Sequence, residues 1–535
     1  GDQIAVAVGS AGDPGYDSYE MDYELALCNP TFDGLPVFEV ASFGAAGDGT
    51  TDDYHAIHAA VDAAKDAGGG IVRFESNTTY RVIGDSTDED VVETVFELEG
   101  TYNIKIEGNG STLLLYPADQ LTEVLHSENI QLDGFTVGFD PLPYYQGIVD
   151  DINIGNLTMD ITVPVRYDVP EMGTNTASAN RPFFGRSFIP ESPGSRAGTG
   201  QHLYIDYTET IGGDPRKVRL HFRDDMTSNL QSSSAATEMV VPHIRYGHRG
   251  THSIVVNKSS RVKISNLLYR NAPFFLCAPV GNTGPVTLSN FDVLTADPAN
   301  ELFVTWRDGY HVKDNHFGVL IEDGDWHGGG MNDDLFNFAH MMKFVTSISS
   351  NELSLMAANS FGGQNIWHAG DWISIWDPTQ TTLRGRARIT GPGSTETWNA
   401  TLTLDREITA NVNDWVVNEN RLNRGMLVRN CTNSQLGTRP GSARFRTPGV
   451  RFENNHFDGI YFHLHSTTEH EGPVPRDYHF EDTYFKGSPA HEWQPLAVRA
   501  GENIVFKNCI VDGGQIHTEE ATEIDLDGVT WTNNT

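Results

Sequence analysis

Three aspartates are spaced so that their carboxyl groups can meet. Asp308 lies in a strand-like segment, and the adjacent pair Asp333 and Asp334 follows 25 and 26 residues later, just after the next such segment. Carboxylates held close together raise the proton affinity of at least one of them, so identical side chains can act as an acid and a base. Hydrolysis of a glycosidic bond requires such a pair. The alternative is that these aspartates only end turns, as acidic residues often do in a chain with 72 of them.

The residues around the three aspartates are suited to holding a sugar. Trp306, Arg307 and His311 flank Asp308 in the sequence. Trp326 and His327 stand before a run of three glycines that leads to the aspartate pair. Apolar faces of sugar rings stack on aromatic side chains, and a few polar groups fix the orientation of a ligand. We therefore predict that these five flanking residues contact a substrate.

Residues farther along the chain are weaker candidates for the same site. Arginines in a strand-like segment can orient hydroxyl or sulfate groups, and surface salt bridges are the alternative for them. An acidic loop with histidines can form part of a binding wall, with ordinary solvation as the alternative. The predicted contacts of this second group are Trp367, Arg444, Arg446, His465 and Glu469.

The composition describes a folded protein with an acidic surface. The chain has 535 residues, 38% of them hydrophobic, and a formal net charge of −36 at pH 7. This charge argues against nucleic acids and anionic membranes as partners. No stretch reaches the roughly 18 to 20 apolar residues needed to cross a bilayer, and the first residues lack the pattern of a signal peptide. We expect a secreted or periplasmic protein without a cofactor, whose export signal is not part of this sequence.

The cysteines do not form a recognisable framework. Cys28, Cys277, Cys431 and Cys509 are too few and too scattered for a disulfide scaffold or a zinc site. We expect buried free thiols and predict no metal site.

A short pattern repeats along most of the chain. It consists of two apolar residues separated by one other residue, then Asn, Asp or Gly, with another apolar residue soon after. The alternation and the final turn residue predict a short strand followed by a turn. Clean consecutive copies are about 20 to 28 residues apart, which is the period of a solenoid. The copies begin at residues 104, 130, 152, 262, 286, 319, 426, 450, 478, 504 and 524.

Stacked copies would enclose a continuous interior, as in a right-handed parallel β-helix; an antiparallel β-sandwich is the alternative. The aspartate spacing then equals one coil, and adjacent strands lie about 4.8 Å apart, so Asp308 would stack on the pair. Both members of the pair reach one ligand only if the backbone turns or bulges near Asn332. In the same register Cys431 and Cys509 are three coils and roughly 14 Å apart, too far for a disulfide.

A helix is predicted ahead of the first coil. Asp52 or Asp53 can cap a helix over residues 55–66, whose apolar residues share one face and which three glycines end. The segment 38–74 contains Phe-Gly-Ala, Gly-Asp-Gly, Thr-Asp-Asp and Gly-Gly-Gly in that order. This pattern resembles the N-terminal cap of the pectin-lyase-like β-helix superfamily, which implies that the helix covers the end of the solenoid.

Two stretches interrupt the repeat and are typical of strands separated by Gly, Asn and Pro turns. Each predicts a small β-barrel between coils, and the second begins directly after the aspartate pair. The fold class is thus all-β, a β-helix with a short N-terminal capping helix and two inserted β-barrel-like domains. The predicted division is an N-terminal extension at 1–37, cap and first coils at 38–160, an inserted β domain at 161–255, central coils with the site at 256–340, a second inserted barrel at 341–420 and C-terminal coils at 421–535.

The order of these elements resembles a family of sugar hydrolases. One aspartate followed a coil later by an aspartate pair is similar to the β-helical inverting glycosidases. A barrel after "NDDLFNF" resembles glycoside hydrolase family 110, the α-1,3-galactosidases, as does the segment 439–485 with its arginine-bearing strand and "ENNHF" coil. The resemblance implies exo-acting removal of terminal α-linked galactose from a galactan or glycan, with inversion. It implies Asp308 as general acid, with Asp333 and Asp334 activating water, although the two roles can be exchanged.

Two other classes fit the same architecture. A polysaccharide lyase would use a Lys or Arg base, often with calcium to neutralise a uronate, and Arg307 is the candidate beside the aspartates. A non-catalytic glycan-binding protein is expected if Asp308 and Asp333 prove to be scattered. The expected partner in every case is an oligo- or polysaccharide.

Overall fold

A computed structural model defines the fold of most of the chain. Residues 1–29 of the predicted N-terminal extension, together with Asp333, His465 and Glu469, lie outside the described residues. The structure describes residues 30–85, 92–169, 183–190, 198–243, 252–273, 275–327, 330–331, 334–357, 366–395, 399–434, 442–464, 472–473, 475–486, 496–513 and 516–532.

The first coils of the solenoid begin with the predicted capping helix. The helix α1 (Tyr54–Asp66) buries one apolar face against the first coils, as predicted. The Asp53 side chain does not cap it, because that carboxylate accepts from the backbone of Ala46 and Gly47 at 2.6 and 3.0 Å. The strands of this part are β1 (Val37–Glu39), β2 (Asp48–Asp52), β3 (Gly70–Arg73), β4 (Thr79–Val82), β5 (Thr94–Glu99), β6 (Tyr102–Leu115), β7 (Gln120–Leu125) and β8 (Glu128–Phe139), with a 3₁₀ turn at Val40–Phe43.

The first insertion is a ring of antiparallel strands. Its strands are β9 (Tyr144–Asn153), β10 (Thr158–Thr162), β11 (Phe183–Pro190), β12 (Gly198–Thr199), β13 (His202–Ile211), β14 (Asp214–Phe222) and β15 (Glu238–Pro242), with a 3₁₀ turn at Asp224–Met226 and a helix α2 (Thr227–Ser232). Pairing of β11 with β15 closes the series that runs through β13, β14, β10 and β9. We call this unit the first ring. It begins at Tyr144 and not near residue 161.

One copy of the sequence repeat was therefore assigned wrongly. The copy at residue 152 lies at the end of β9, which pairs antiparallel with β10 and β15 instead of stacking in the solenoid. Alternating apolar residues before an Asn or Gly turn are common to both kinds of strand, so the local pattern cannot separate them.

The central coils lie between the two insertions. Their strands are β16 (His252–Asn257), β17 (Ser260–Arg270), β18 (Phe275–Val280), β19 (Val286–Leu294), β20 (Phe303–Thr305), β21 (Tyr310–Lys313), β22 (Val319–Glu322), β23 (Asp325–His327), β24 (Gly330–Met331) and β25 (Phe336–Ala339). Within the described residues, no helix of the chain is long and apolar enough to cross a membrane.

The second insertion is a closed antiparallel barrel, which we call the second barrel. Its strands are β26 (Lys343–Ser349), β27 (Glu352–Ala357), β28 (Trp372–Trp376), β29 (Leu383–Thr395), β30 (Asn399–Leu404) and β31 (Trp415–Asn418), followed by a 3₁₀ turn at Glu419–Arg421. At its base His340 Nδ1 lies 2.8 Å from Asp314 Oδ1, and the backbone N–H of Asn418 donates to His340 Nε2 at 3.1 Å. Because Nε2 accepts, the proton is on Nδ1 and is donated to Asp314.

The C-terminal coils resume the solenoid. Their strands are β32 (Met426–Arg429), β33 (Thr432–Ser434), β34 (Ser442–Phe445), β35 (Val450–Glu453), β36 (His456–Asp458), β37 (Tyr461–Leu464), β38 (Arg476–Glu481), β39 (Tyr484–Lys486), β40 (Leu496–Lys507), β41 (Ile510–Asp512), β42 (Ile516–Asp525) and β43 (Thr530–Thr532). Leu320 on β22 pairs with Leu427 on β32, so the stacking continues across the second barrel.

The parallel pairings confirm a right-handed parallel β-helix with three sheets. One sheet contains the sequence repeats: apart from the copy at residue 152, they pair in register from Ile104 to Ile524. Their turn residues adopt positive φ, as at Asn109 and Asn454, which Asn and Gly tolerate best. A second sheet holds the candidate site and is called the site sheet. It consists of β5, β7, β16, β18, β21, β25, β34, β37 and the first halves of β40 and β42.

Buried asparagines continue the site sheet around its corner. Asn315 Oδ1 accepts from both the backbone N–H and the side-chain amide of Asn282 at 2.8 Å. Asn315 in turn donates to Asn423 Oδ1 at 2.8 Å. We call these three residues, which are fully buried, the asparagine ladder. It satisfies backbone groups that the turns leave without sheet partners.

The described cysteines are free and buried, as predicted. Cys277, Cys431 and Cys509 all lie in the solenoid core. Cys431 and Cys509 each follow a left-handed Asn, Asn430 and Asn508, at equivalent positions of the repeat. The predicted register of these two cysteines is thus confirmed.

Candidate active site

Asp308 and Asp334 are stacked on adjacent coils of the site sheet. Tyr310 pairs with Phe336, and the backbone N–H of Gly309 donates to the carbonyl of Asp334 at 2.9 Å. The 26-residue spacing between the two aspartates is therefore one coil. Both residues are nearly enclosed, with 3% and 2% of their surface exposed.

Outward-facing side chains of the site sheet contact the two carboxylates. His311, Asn337 and Arg444 occupy one register position on β21, β25 and β34. Arg444 Nε lies 3.2 Å from Asp334 Oδ2. Asn337 Nδ2 donates to Asp308 Oδ2 at 3.4 Å, and His311 Nδ1 lies 3.6 Å from the same oxygen. Asp334 thus contacts the Arg444 guanidinium, and Asp308 contacts the Asn337 amide and the His311 imidazole.

The imidazole of His311 belongs to a stack of three rings. His252 stacks on Phe275 with ring centroids 4.6 Å apart, and Phe275 stacks on His311 at 5.3 Å. Burial, followed by the positive charge of Lys313, lowers the pKa of His252 to about 3 and the pKa of His311 well below its usual value. Both imidazoles are therefore neutral near pH 7.

Arg307 lies against the same stack of rings. Its guanidinium carbon is 5.3 Å from the centroid of Phe275, within the range of a cation–π contact. The preceding Trp306 packs on Phe303 with centroids 5.0 Å apart, in the apolar core of the first ring. The first ring therefore anchors the segment that carries Arg307 and Asp308.

The three tryptophans that we predicted as sugar platforms are buried. Trp306 is 3% exposed within the core of the first ring. Trp326 is fully buried in the solenoid, where its Nε1 donates to the Tyr310 hydroxyl at 3.0 Å. Trp367 is 1% exposed in the core of the second barrel. The prediction that a sugar stacks directly on these rings is therefore wrong, because each side chain is already covered by the core that it stabilises.

The other predicted contacts are distributed differently. His327 lies on β23, outside the site sheet, with its Nδ1 2.9 Å from Asp325 Oδ2. Arg446, directly after β34, is 3% exposed, and its backbone N–H donates to the carbonyl of Phe338 at 2.8 Å.

Sequence reasoning missed three residues of the site, Phe275, Asn337 and His252. Asn337 stands between Phe336 and Phe338, which are both buried in the core. Period-2 alternation therefore places Asn337 on the outer face, and this signal was available in the sequence. Phe275 and His252 depend on the register of coils on either side of the first ring, which the local sequence does not contain.

The described residues contain no group of three or more His, Cys, Asp or Glu side chains arranged to hold a metal ion.

The fold and the stacked carboxylates define the chain as a parallel β-helix protein with a candidate acid–base centre. No family model matches it. Alginate lyase 7 of Azotobacter vinelandii is 36% identical over 126 residues, which are 19% of this chain and 15% of that protein. The chain thus matches only a small part of that relative.

Solved structures with a similar course of the chain include two proteins that are covered almost completely. An exopolygalacturonase from Thermotoga maritima has a TM-score of 0.40 and 12% identity, over 94% of this chain and 93% of that one. The A-module of the mannuronan C-5 epimerase AlgE4 from Azotobacter vinelandii has a TM-score of 0.34 and 11% identity, over 93% and 94%.

Proposed function

We propose that this protein is a glycoside hydrolase whose acid and base come from Asp308 and the aspartates one coil later. The observation that supports the proposal is the stacking of Asp308 on Asp334, each with different partners. Two carboxyl groups in unlike surroundings can divide the roles of proton donor and proton acceptor.

Asp308 is the proposed general acid. The Asn337 amide donates to Asp308 and the His311 imidazole lies beside it, so both side chains orient this carboxyl group. In the reaction it donates this proton to the glycosidic oxygen as the bond from that oxygen to the anomeric carbon breaks. The leaving sugar then departs as a neutral alcohol.

Asp334 is the proposed base, held by Arg444 at 3.2 Å. It accepts a proton from water while the water oxygen bonds to the anomeric carbon. Inversion needs roughly 6.5 to 9.5 Å between the carboxyl groups, and stacked strands are only about 4.8 Å apart. Asp333 therefore shares this role in the proposal, because a turn at this point can displace one member of the pair.

The proposed substrate is a terminal α-linked galactose of a galactan or glycan, released with inversion. This finer proposal rests on the resemblance of the sequence to glycoside hydrolase family 110. In the sequence the site lies between the first ring, whose core includes Trp306, and the second barrel, which begins at Lys343 shortly after β25. Insertions on both sides favour a pocket for a chain end. A polymeric substrate also favours the proposed secreted or periplasmic location.

A polysaccharide lyase is the second candidate, and one observation favours it. His311 is neutral and lies close to the positive charges of Arg307 and Lys313, which lower its pKa after the larger effect of burial. A neutral imidazole can remove the proton next to a uronate carboxylate while a cation offsets the charge. Elimination of the glycosidic oxygen would then leave an unsaturated sugar.

One experiment separates the two reactions. The protein is incubated with α-galactosides of different linkage and with uronans, and products are followed by chromatography and ultraviolet absorbance. Release of free galactose, with the anomer opposite to that of the substrate by NMR, is the expected result. An unsaturated absorbing product would favour the lyase, and release of large oligosaccharides at early times would contradict exo-action.

A further inference from the structure

A groove of about 290 Å³ lies between the turns that end the site sheet and the base of the second barrel. Its solenoid side includes His126, Lys258 and Gly281, the left-handed turn residues that follow β7, β16 and β18. These strands pair in register, so the three turns stack on one another. His368 and Arg421 line the other side. Cationic and protonatable side chains therefore meet here in a chain of net charge −36.

Arg421 is the most enclosed of these groups, with 6% of the residue exposed. Its Nη1 donates to the carbonyl of Gly281 at 3.3 Å, and its Nε has no hydrogen-bond partner within the residues described. Among the described residues, no carboxylate forms an ion pair with Arg421. A buried charge without a counter-charge is costly, so this guanidinium is suited to an anion from outside the chain.

The nearest carboxylates are engaged elsewhere. Asp371 accepts from the side-chain amide of Asn418 at 2.8 Å and from the backbone N–H of His368 at 3.3 Å. Asp314 Oδ1 accepts hydrogen bonds from His340 Nδ1 and from the backbone N–H of Met341. Both carboxylates favour the charged form of Arg421, yet burial outweighs them and lowers its pKa.

His316 adds a neutral hydrogen-bonding group beside Arg421. Burial, and then the charge of Arg421, lower the pKa of His316 to about 4. Its Nε2 is buried and has no partner within the described residues. The imidazole can therefore donate to an anion or take up a proton when one binds.

The groove and the aspartate centre lie at opposite ends of the same strands. Phe275, next to Asp308, begins β18, and Gly281 directly follows it. Six residues at about 3.3 Å each give roughly 20 Å between the two places. Lys313, which lies in register with Val280, adds positive charge at the groove end of this path.

We propose that this groove binds an acidic group, a carboxylate or a sulfate ester, on the saccharide whose end occupies the Asp308 and Asp334 centre. The proposal rests on the proposed function in taking a saccharide as the ligand. It specifies an acidic saccharide that lies along the site sheet. One end occupies the aspartate centre, and Arg421 and Lys258 bind an acidic group at a second point.

The test measures binding by calorimetry in the Asp308→Asn background, so that no ligand is turned over. The probes are an oligouronate, a sulfated galacto-oligosaccharide, a neutral galacto-oligosaccharide of the same length, and sodium sulfate. The test variants are Lys258→Gln and Arg421→Gln, and Lys217→Gln, an exposed lysine of the first ring, is the matched control. One acidic oligosaccharide should bind about 10-fold tighter than the neutral one. Each test variant should remove most of that difference, while the control keeps it.

The outcomes are distinct from those of the activity assay. Equal affinity for neutral and acidic oligosaccharides would overturn the proposal that the groove binds an acidic group. Unchanged affinity of the exposed Lys258→Gln variant for the acidic oligosaccharide would also overturn it. Sodium sulfate binding as tightly as the oligosaccharides would also overturn it, since the site would then hold an adventitious anion only. If the acidic oligosaccharide binds, Lys258→Gln loses that binding, and the wild-type protein releases no galactose, the proposed acidic-group site is supported and the proposed hydrolase is rejected.

A spectroscopic readout adds an independent check. An anion next to His316 should raise its pKa from about 4, because a negative charge favours the protonated ring. Proton NMR titration with and without the acidic oligosaccharide measures this shift. An unmoved His316 resonance at saturating ligand would place the ligand elsewhere.

Discussion

At the scale of single residues, Asp308 and Asp334 have different described contacts, and we propose different roles for them. Arg444 faces Asp334, while Asn337 and the neutral His311 contact Asp308. The spacing of the aspartates, equal to one coil of the repeat, was sufficient to predict that the two stack. The sequence was not sufficient for the tryptophans, because a large aromatic residue fits both a core and a binding surface.

The first prediction concerns turnover. Asp308→Asn and Asp334→Asn should each lower kcat on the galactoside that the protein hydrolyses by about 10²- to 10⁴-fold, since a carboxamide keeps the shape but cannot transfer the proton. Melting temperatures should stay near the wild-type value. Asp325→Asn, a half-exposed aspartate paired with His327, is the matched control and should remain active. Near-normal turnover in both test variants would move the active site elsewhere.

The second prediction concerns stability and pH at Asp119. Burial, with a contribution from the negative charge of Glu93, raises the pKa of this carboxyl from 3.8 to about 8. The folded chain therefore keeps a proton that the unfolded chain loses, and this stabilisation is full below pH 4 and lost as pH rises toward 8. Asp119→Asn should remove the loss, so the variant should exceed wild type in unfolding free energy at pH 8 and match it near pH 4.

Chemical denaturation between pH 4 and 9 measures this difference. Asp66→Asn, on the exposed face of α1, is the control and should follow the wild-type curve. Parallel curves for wild type and Asp119→Asn would show that Asp119 is ionised in the folded protein.

At the scale of elements, stacking determines where each side chain lies. The repeats specified the register of one whole sheet because every copy ends in a residue that tolerates positive φ. The same reasoning failed at residue 152, where the strand pairs antiparallel in the first ring. The contacts of Phe275 with His252 and His311 also depend on which coils become neighbours after an insertion, and that is a long-range property.

The third prediction concerns the asparagine ladder. Asn315→Ala should lower the unfolding free energy by about 3 kcal/mol or more, because buried groups of Asn282 and Asn423 lose partners worth about 1 to 3 kcal/mol each. Asn454→Gly, in the exposed corner of the repeat sheet, keeps the left-handed backbone but loses the hydrogen bond to Asn430, and should cost about 1 kcal/mol. Equal melting shifts for the two variants would argue against a structural role of the buried ladder.

At the scale of the whole molecule, the solenoid is continuous and the insertions leave and rejoin it at close points. Phe344 pairs with Trp415, so the two ends of the second barrel are adjacent. Leu320 on one side of the barrel pairs with Leu427 on the other. The barrel can therefore be removed without breaking the stacking of the coils.

The fourth prediction is that replacing residues 345–414 with a short Gly-Ser linker leaves a folded, β-rich solenoid by circular dichroism. If the barrel forms one side of the pocket, products should change from monosaccharide toward longer oligosaccharides. The Asp308→Asn form of the shortened chain is the control, since it should release neither product. A product profile that stays monosaccharide alone would show that the barrel does not limit access.

The three buried thiols can be used to measure local unfolding of the solenoid. Burial raises the pKa of Cys431 to about 12 and that of Cys509 to about 11, and it raises the pKa of Cys277 further. A thiol reagent can thus reach them only when a coil separates. In a Cys28→Ser background, labelling of Cys509 first and Cys277 last would show a solenoid that opens from its C-terminal end, coil by coil, whereas simultaneous labelling would show that all coils open together.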